Sequence, residues 1–301
     1  MTLVRLFGLV IDSEVPLPNL LPAAPGAIAD VRIRRGRVGA DADLIIPEAG
    51  LFRVRDGREI VVEKNAGVSD RNLRLFLLGS AMGLILHQRG LFPLHANAVE
   101  LEGRAIAVAG ATGAGKSTLA AWFSRSGHRV VGDDVVALKA TAGTVLAYPG
   151  PPRVRLWREA MERLGIDTNG LDPSYADDTV EKWDLPVAGD ALVADAVPLG
   201  AVYVLEDGAD IAFIRLGGGA AAATLFDHTY RGSYADRQAE WRAEHFRAVA
   251  AVAGSVPVFR LERPRDLSQL EALGRALLAH AAEAAVRTAV VDRSAEPAPD
   301  R

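Results

Sequence analysis

The chain has 301 residues, 50% of them hydrophobic and 24% charged, with a net charge of −4 and no cysteine. That composition suits a globular chain with a sizeable core, in one large α/β domain or two domains. It excludes disulfides, cysteine zinc sites and a thiol nucleophile, and it gives no basic field to recruit nucleic acid.

Residues 1–66 read as β-rich. Apolar runs at Val4 to Ile11, Asp30 to Ile33, Leu51 to Val54 and Glu59 to Glu63 predict strands. Pro16, Pro18, Pro22 and Pro25 predict loops between the first two. The N-terminus lacks the charged start, long apolar stretch and cleavage site of a signal peptide, so a cytoplasmic location is expected. Ser69 is placed to cap a helix running to about Gln88, which Gly90 ends. Leu75 to Leu86, interrupted by Gly79, Ser80 and Gly83, is too short to span a bilayer, and no membrane partner is expected.

Leu94 to Leu101 alternates as a strand, and Glu102-Gly103 turns it into the apolar run Arg104 to Ala109. There follows Gly110-Ala111-Thr112-Gly113-Ala114-Gly115-Lys116-Ser117, then the helical Leu119 to Ser124. The octet fits G-x-x-x-x-G-K-[ST] at every constrained position, in the strand–loop–helix context that gives the pattern meaning. Glycines let successive N–H groups point at a polyphosphate, and the helix N-terminus adds positive charge. Lys116 is placed to reach the β- and γ-phosphates and Ser117 to ligate Mg²⁺. Lysine occurs only at positions 64, 116, 139 and 182, so its presence in the loop is the more telling.

Arg129 to Leu138 reads as one short strand carrying Asp133 and Asp134. Such acids serve Mg²⁺ coordination and proton removal from an attacking hydroxyl. Adjacent strand residues face opposite ways, so a shared site requires a bend. Beyond it, Pro149 to Pro152 predicts a turn, Leu156 to Leu164 a short helix, and Asp167 to Asp184 a polar loop. Leu199 to Leu205 and Ile211 to Leu216 read as a strand pair. Ala220 to Phe226 and Tyr234 to Val252 read as helices, and Val258 to Leu261 as a last strand. Asp266, with Gln269 three residues on, begins a helix to about Val290, and Ser294 to Arg301 reads as a disordered tail.

The order His95-Ala-Asn-Ala-Val, loop, one helix, Gly127-His128-Arg-Val-Val-Gly-Asp133-Asp134 resembles the HPr kinase/phosphorylase family, related in nucleotide core to phosphoenolpyruvate carboxykinases. Within it, the nearer likeness is to proteins encoded beside lasso-peptide genes, which phosphorylate a precursor peptide on serine. The likeness is clear over about residues 90–140. It is weaker through Tyr148-Pro-Gly-Pro-Pro-Arg-Val-Arg-Leu-Trp157 and Glu181-Lys182-Trp183. Thr118 stands where the HPr enzymes carry an acid, and their dephosphorylation signature is missing.

The resemblance implies an α/β fold with a P-loop kinase core, a central mixed sheet, flanking helices and a β-rich N-terminal region. The expected division is 1–90, 91–291 and a 292–301 tail. ATP would bind along Gly110 to Thr118 and Mg²⁺ at Ser117 and Asp134. Asp133 would act as base, with Lys116 and His95 beside the transferred phosphate. The implied partner is a peptide or protein carrying an acceptor serine. Homo-oligomerisation is left open. From the residues alone, His95 reads equally as a core histidine. Lys182, Arg153 and Arg155 read more readily as surface charge than as phosphate or carboxylate ligands. Arg231, His228 and His245 are weaker candidates for an acceptor groove, and Trp157 or Trp183 for an apolar shelf within it. Two rivals stand: a small-molecule kinase or carboxykinase-like enzyme, and a nucleotide-dependent regulatory protein.

Overall fold

A computed structural model describes residues 3–176, 180–237 and 239–294, the side chains of 286–294 excepted. The run Val4 to Ile11, expected as one strand, folds back on itself. Phe7 and Gly8 take φ of 53° and 75°, which makes the tight turn of a hairpin. Its strands, β1 (Val4–Leu6) and β2 (Leu9–Ser13), set Leu6 opposite Leu9. With β3 (Leu21–Pro22), β4 (Val31–Arg35), β5 (Leu44–Ile46), β6 (Gly50–Arg55) and β7 (Glu59–Lys64) they form a sheet ordered β3-β1-β2-β4-β7-β6-β5. Strand β5 was not expected, and neither was β3, which runs through Pro22 where a loop was expected because it pairs at the sheet edge with β1.

Ser69 caps the next helix as expected, its Oγ accepting from the Asn72 N–H at 3.1 Å. The helix is not uniform. α1 (Asp70–Phe76) and α2 (Met82–Gln88) are joined by a π-helical turn over Leu77–Ala81. Such turns admit an extra residue and disturb the hydrogen-bond ladder locally. Gly79 and Gly83 here form a slot for an aromatic ring. A Cβ on Gly79 would lie 3.0 Å from Tyr230 Oη, and one on Gly83 would lie 3.2 Å from Tyr230 Cε1.

The second sheet collects β8 (Phe92–Leu94), β9 (Ala96–Leu101), β10 (Arg104–Gly110), β11 (Val130–Gly132), β12 (Val136–Thr141) and β13 (Thr144–Tyr148). After the loop comes α3 (Lys116–Arg125). Three strands, β14 (Arg153–Trp157), β15 (Asp172–Pro173) and β16 (Lys182–Pro186), make a small separate sheet, with α4 (Arg158–Arg163) between the first two. The stretch expected as a polar loop therefore carries two strands. Residues 177–179 within it lie outside the described residues.

β17 (Val197–Asp207) is the spine of the large sheet. It runs parallel to β10 on one side, and meets first β13 and then β19 (Val258–Arg263) on the other. β18 (Ala212–Leu216) pairs with β19 and not with β17, so the expected strand pair has a third strand between its members. The run Ala105 to Ala109 is wholly buried, as a strand covered on both faces should be. On one face Leu119 and Phe123 of α3 pack with Leu273 and Leu277 of α7 (Leu270–Ser294). On the other pack Leu225 of α5 (Gly218–Asp227) and Val249 of α6 (Ala239–Ser255). Val135, Ala137 and Tyr234 join Leu6, Ile33 and Leu73 in one core, so the N-terminal sheet is packed against the rest. Asp266 accepts from the Ser268 N–H at 2.8 Å at the start of the last helix. That helix runs to Ser294, past the expected Val290, and 295–301 lie outside the described residues.

Candidate active site

The loop after β10 is shaped by its glycines. Gly113 and Gly115 take φ of 81° and 90°, a region where a side chain is strained. A Cβ on either would meet nothing that blocks the loop, so conformation and not crowding calls for glycine there. Gly115 occupies the N-cap position of α3, so the N-terminus of that ten-residue helix opens onto the loop. The Lys116 side chain turns back along the loop, its Nζ donating to Gly110 O at 2.8 Å and Ala111 O at 3.1 Å. Burial depresses its pKa. Asn97, fully buried on the neighbouring strand β9, donates through Nδ2 to the Lys116 carbonyl and ties strand to helix.

Asp133 and Asp134 do not lie on one regular strand. The expected run Arg129 to Leu138 breaks into β11 and β12, and Asp134 takes φ of 73°. This break re-aims the pair and brings both carboxylates to the loop. Asp133 Oδ1 accepts from Ser117 Oγ at 2.9 Å, and its Oδ2 accepts from the Arg155 backbone N–H at 2.8 Å. Asp134 Oδ2 accepts from Arg155 Nη2 at 2.7 Å, and its Oδ1 lies 3.6 Å from His95 Nε2. Burial raises the Asp133 pKa. Burial acts on Asp134 in the same sense, but Arg155 and His95 outweigh it and hold that carboxyl well below the usual range. His95 is positioned at the β8–β9 junction by its N–H to His228 O at 2.8 Å, with its ring edge-on to Tyr230 at 5.9 Å.

A cleft of about 900 Å³ runs past these groups, within the range of small-ligand sites. Thr112 to Thr118, His95 and Asp134 line it. Gly110 and Ala111 stand behind, as acceptors for Lys116, and Asp133 is buried beneath Ser117. The cleft has two ends. Leu205, Ile211, Leu270 and Leu273 lie toward Arg263 and Arg265, whose guanidinia donate to Ala114 O and Gly113 O at 2.7 and 3.2 Å. Phe76, Ser80, Tyr175, Tyr230 and Arg231 lie at the other end, with Trp157 and Lys182.

Several expectations change here. Arg155 is not a solvated charge: its side chain is 11% exposed and it binds both acids. Lys182 lies on β16 facing the cleft, with Nζ 5.4 Å from the Trp157 ring. Arg153 is committed to Asp184 at 2.9 Å. Trp157 lines the cleft, whereas Trp183 packs beneath Arg158, 4.7 Å from its ring. His228 gives its carbonyl to the His95 N–H, and its half-buried ring feels Lys116 and His95, whereas His245 is buried behind this site. The role of Arg155 was hidden because nothing local distinguishes it from Arg153. Alternation puts Arg153, Arg155 and Trp157 on one face of the strand, so it could pair Arg155 with Trp157 but not separate it from Arg153.

Among the described residues, no group of three or more His, Asp or Glu side chains is arranged to hold a metal ion. The hard oxygens that meet are Ser117 Oγ and Asp133 Oδ1, with the Asp134 carboxylate lining the cleft beside them. Also among the described residues, no helix is long and apolar enough to cross a membrane. No family model matches the chain, and no curated protein matches it. Among solved structures, the chain is similar to the HPr(Ser) kinase/phosphatase from Coxiella burnetii, with a TM-score of 0.37 and 14% identity, over 67% of this chain and 95% of that one.

Proposed function

We propose that the chain is a P-loop kinase that transfers the γ-phosphoryl group of ATP to a serine hydroxyl of a peptide. The observation that carries this reading is the contact between Ser117 and Asp133 at the N-terminus of α3, with Lys116 lying along the loop. It joins the phosphate-binding motif to an acid in the way a nucleotide–metal site needs.

The residues present fit Mg²⁺-ATP. The loop N–H groups and Lys116 would cradle the phosphates, and the donors suit Mg²⁺, which takes few protein oxygens and keeps its waters. Ser117 and Asp133 would hold the ion, which supplies charge neutralisation for the phosphates. The geometry favours a reversal of the expected roles for the acids. Asp133 is buried against Ser117, whereas Asp134 faces the cleft where an acceptor must lie. Asp134 is therefore assigned as the base, kept ionised by Arg155. It takes the serine proton as the serine oxygen bonds the γ-phosphorus and the bond to the β-phosphate oxygen breaks. The chemistry is positioning plus charge stabilisation.

The test is mass spectrometry of serine peptides incubated with enzyme, ATP and Mg²⁺, alongside titration with a fluorescent ATP analogue. Lys116→Ala should lower transfer by at least ~10²-fold while its melting curve stays close to that of the parent. Undiminished turnover by this variant would overturn the phosphate-loop reading. Transfer to small alcohols with no peptide modified would replace the peptide acceptor with a metabolite.

A further inference from the structure

The cations of the cleft are not equivalent. Arg155 is committed to Asp134 and Arg153 to Asp184. Arg263 and Arg265 hold the loop carbonyls and pair with Asp207. Lys182 lies over the Trp157 ring, and Asp134, Asp133 and Asp184 answer its charge. Arg231 stands apart. It lines the cleft beside Tyr230, whose ring meets His95, the neighbour of the proposed base Asp134.

Arg231 is also held in a costly way. Its φ is 52°, a left-handed conformation that a long side chain rarely adopts. Residues kept in such regions are strained and cluster at functional sites. What imposes the conformation is visible. Tyr230 is locked into the slot of Gly79 and Gly83, and its N–H donates to Pro93 O at 2.8 Å. The Arg231 guanidinium is then steadied by Ser80 Oγ at 3.1 Å and lies 5.7 Å from the Tyr230 ring. Ser80 is itself on the π-helical turn. Yet Arg231 as a residue remains exposed and, among the described residues, forms no ion pair. A strained, oriented cation in the cleft has donors to spare for an anion.

We propose that Arg231 recognises a carboxylate of the acceptor peptide close to the serine that is phosphorylated, so that the enzyme selects acidic peptides. This rests on the kinase reading above and adds the charge of the substrate to it. The carboxylate can come from an Asp or Glu side chain beside the serine or from the peptide's C-terminus. A planar guanidinium binds either in a two-pronged contact.

The experiment uses synthetic single-serine peptides carrying Asp, Asn, Ala or Lys at each flanking position, each as free acid and as C-terminal amide. Transfer is followed with ATP and Mg²⁺, and affinity by calorimetry with a non-hydrolysable ATP analogue. The wild type should favour a carboxylate at one position by at least about tenfold, a difference of 1.4 kcal/mol. Arg231→Gln should abolish that preference through the acceptor KM, Arg231→Lys should restore part of it, and the ATP dissociation constant should stay unchanged. Preference for an Asp position assigns the side-chain source, and loss on amidation assigns the terminus. Transfer indifferent to peptide charge, or a preference intact in Arg231→Gln, overturns the proposal and leaves the kinase reading standing. Weakened ATP binding in that variant overturns it too, in favour of a phosphate contact. Charge-selective peptide binding that depends on Arg231 without transfer upholds the proposal and overturns the kinase reading.

Discussion

Arg155 and Asp134 form an ion pair at 2.7 Å in which the arginine side chain is 11% exposed and the carboxylate 25%. The same arginine donates its backbone N–H to Asp133 at 2.8 Å. One residue therefore orients both acids, through two different groups. The backbone contact survives any substitution except proline, so a side-chain variant separates the two functions.

Arg155→Met should leave Asp134 a mostly buried charge with His95 as its remaining close partner. Removing one partner of a fully buried pair costs ~3–5 kcal/mol. The partial exposure of Asp134 brings the expectation to about 2 kcal/mol. Asp134→Asn should cost less, and the double variant less than the sum, because the stranded charge is gone. Denaturant midpoints of the four proteins give the coupling. Strict additivity would mean that the pair is not formed. In transfer assays the acidic limb of the pH–rate profile should move up in Arg155→Met, since burial then acts on Asp134 with less opposition.

Asp133 gives the opposite sign. Burial raises its pKa in the folded chain, so the native state holds that proton more tightly than the unfolded one. Stability from this group is complete below the ordinary carboxylate pKa and is lost as pH rises through the raised value. Asn at 133 keeps both contacts, with Oδ1 accepting from Arg155 N–H and Nδ2 donating to Ser117 Oγ. Asp133→Asn should accordingly melt at or above the parent temperature at pH 7, and the gain should vanish at pH below the ordinary carboxylate range. Its requirement for Mg²⁺ should rise sharply, whereas Asp134→Asn should lose transfer with the requirement little changed. Equal Mg²⁺ titrations for both variants would remove the division of roles.

The loop was legible because its chemistry is local. A glycine pattern, a lysine and a serine within eight residues carry their geometry with them, and the buried run Ala105 to Ala109 announced the strand. The Ser69 cap was legible for the same reason. What escaped the sequence lies in pairings across distance. The break at Asp134 depends on a φ of 73° that no glycine marks. The insertion of β19 between β17 and β18 is a choice of sheet order, to which periodicity is blind. The π-helical turn arises where Gly79 and Gly83 receive Tyr230, about 150 residues away in sequence. The commitment of Arg155 to Asp134 is a contact of that kind too.

His245 and His87 sit behind the acceptor end of the cleft, with ring centroids 5.3 Å apart. His87 Nε2 lies 3.1 Å from Tyr230 O, and His245 Nε2 lies 3.0 Å from Thr229 Oγ1, so the two rings support the segment that presents Arg231. Thr229 Oγ1 is 3.5 Å from Leu225 O, which leaves His245 Nε2 as the donor and Nδ1 as a buried lone pair without a partner among the described residues. A proton on Nδ1 would have no acceptor. Burial, with repulsion from His87, lowers the His245 pKa from 6.5 to about 4, and Asp236 opposes this only weakly. His87 shifts the same way through burial, with the Tyr230 carbonyl opposing. Because the folded value is depressed, the unfolded chain takes up the proton first. Stability is unaffected above pH 6.5, falls as pH drops toward about 4, and levels off below it. The loss from His245 should be about 3 kcal/mol. His245→Phe, set between Phe92 and Phe226, should flatten that slope while keeping the ring contacts. Urea midpoints measured across this pH range for parent and variant decide the matter. Parallel slopes would show that His245 is not the group that titrates.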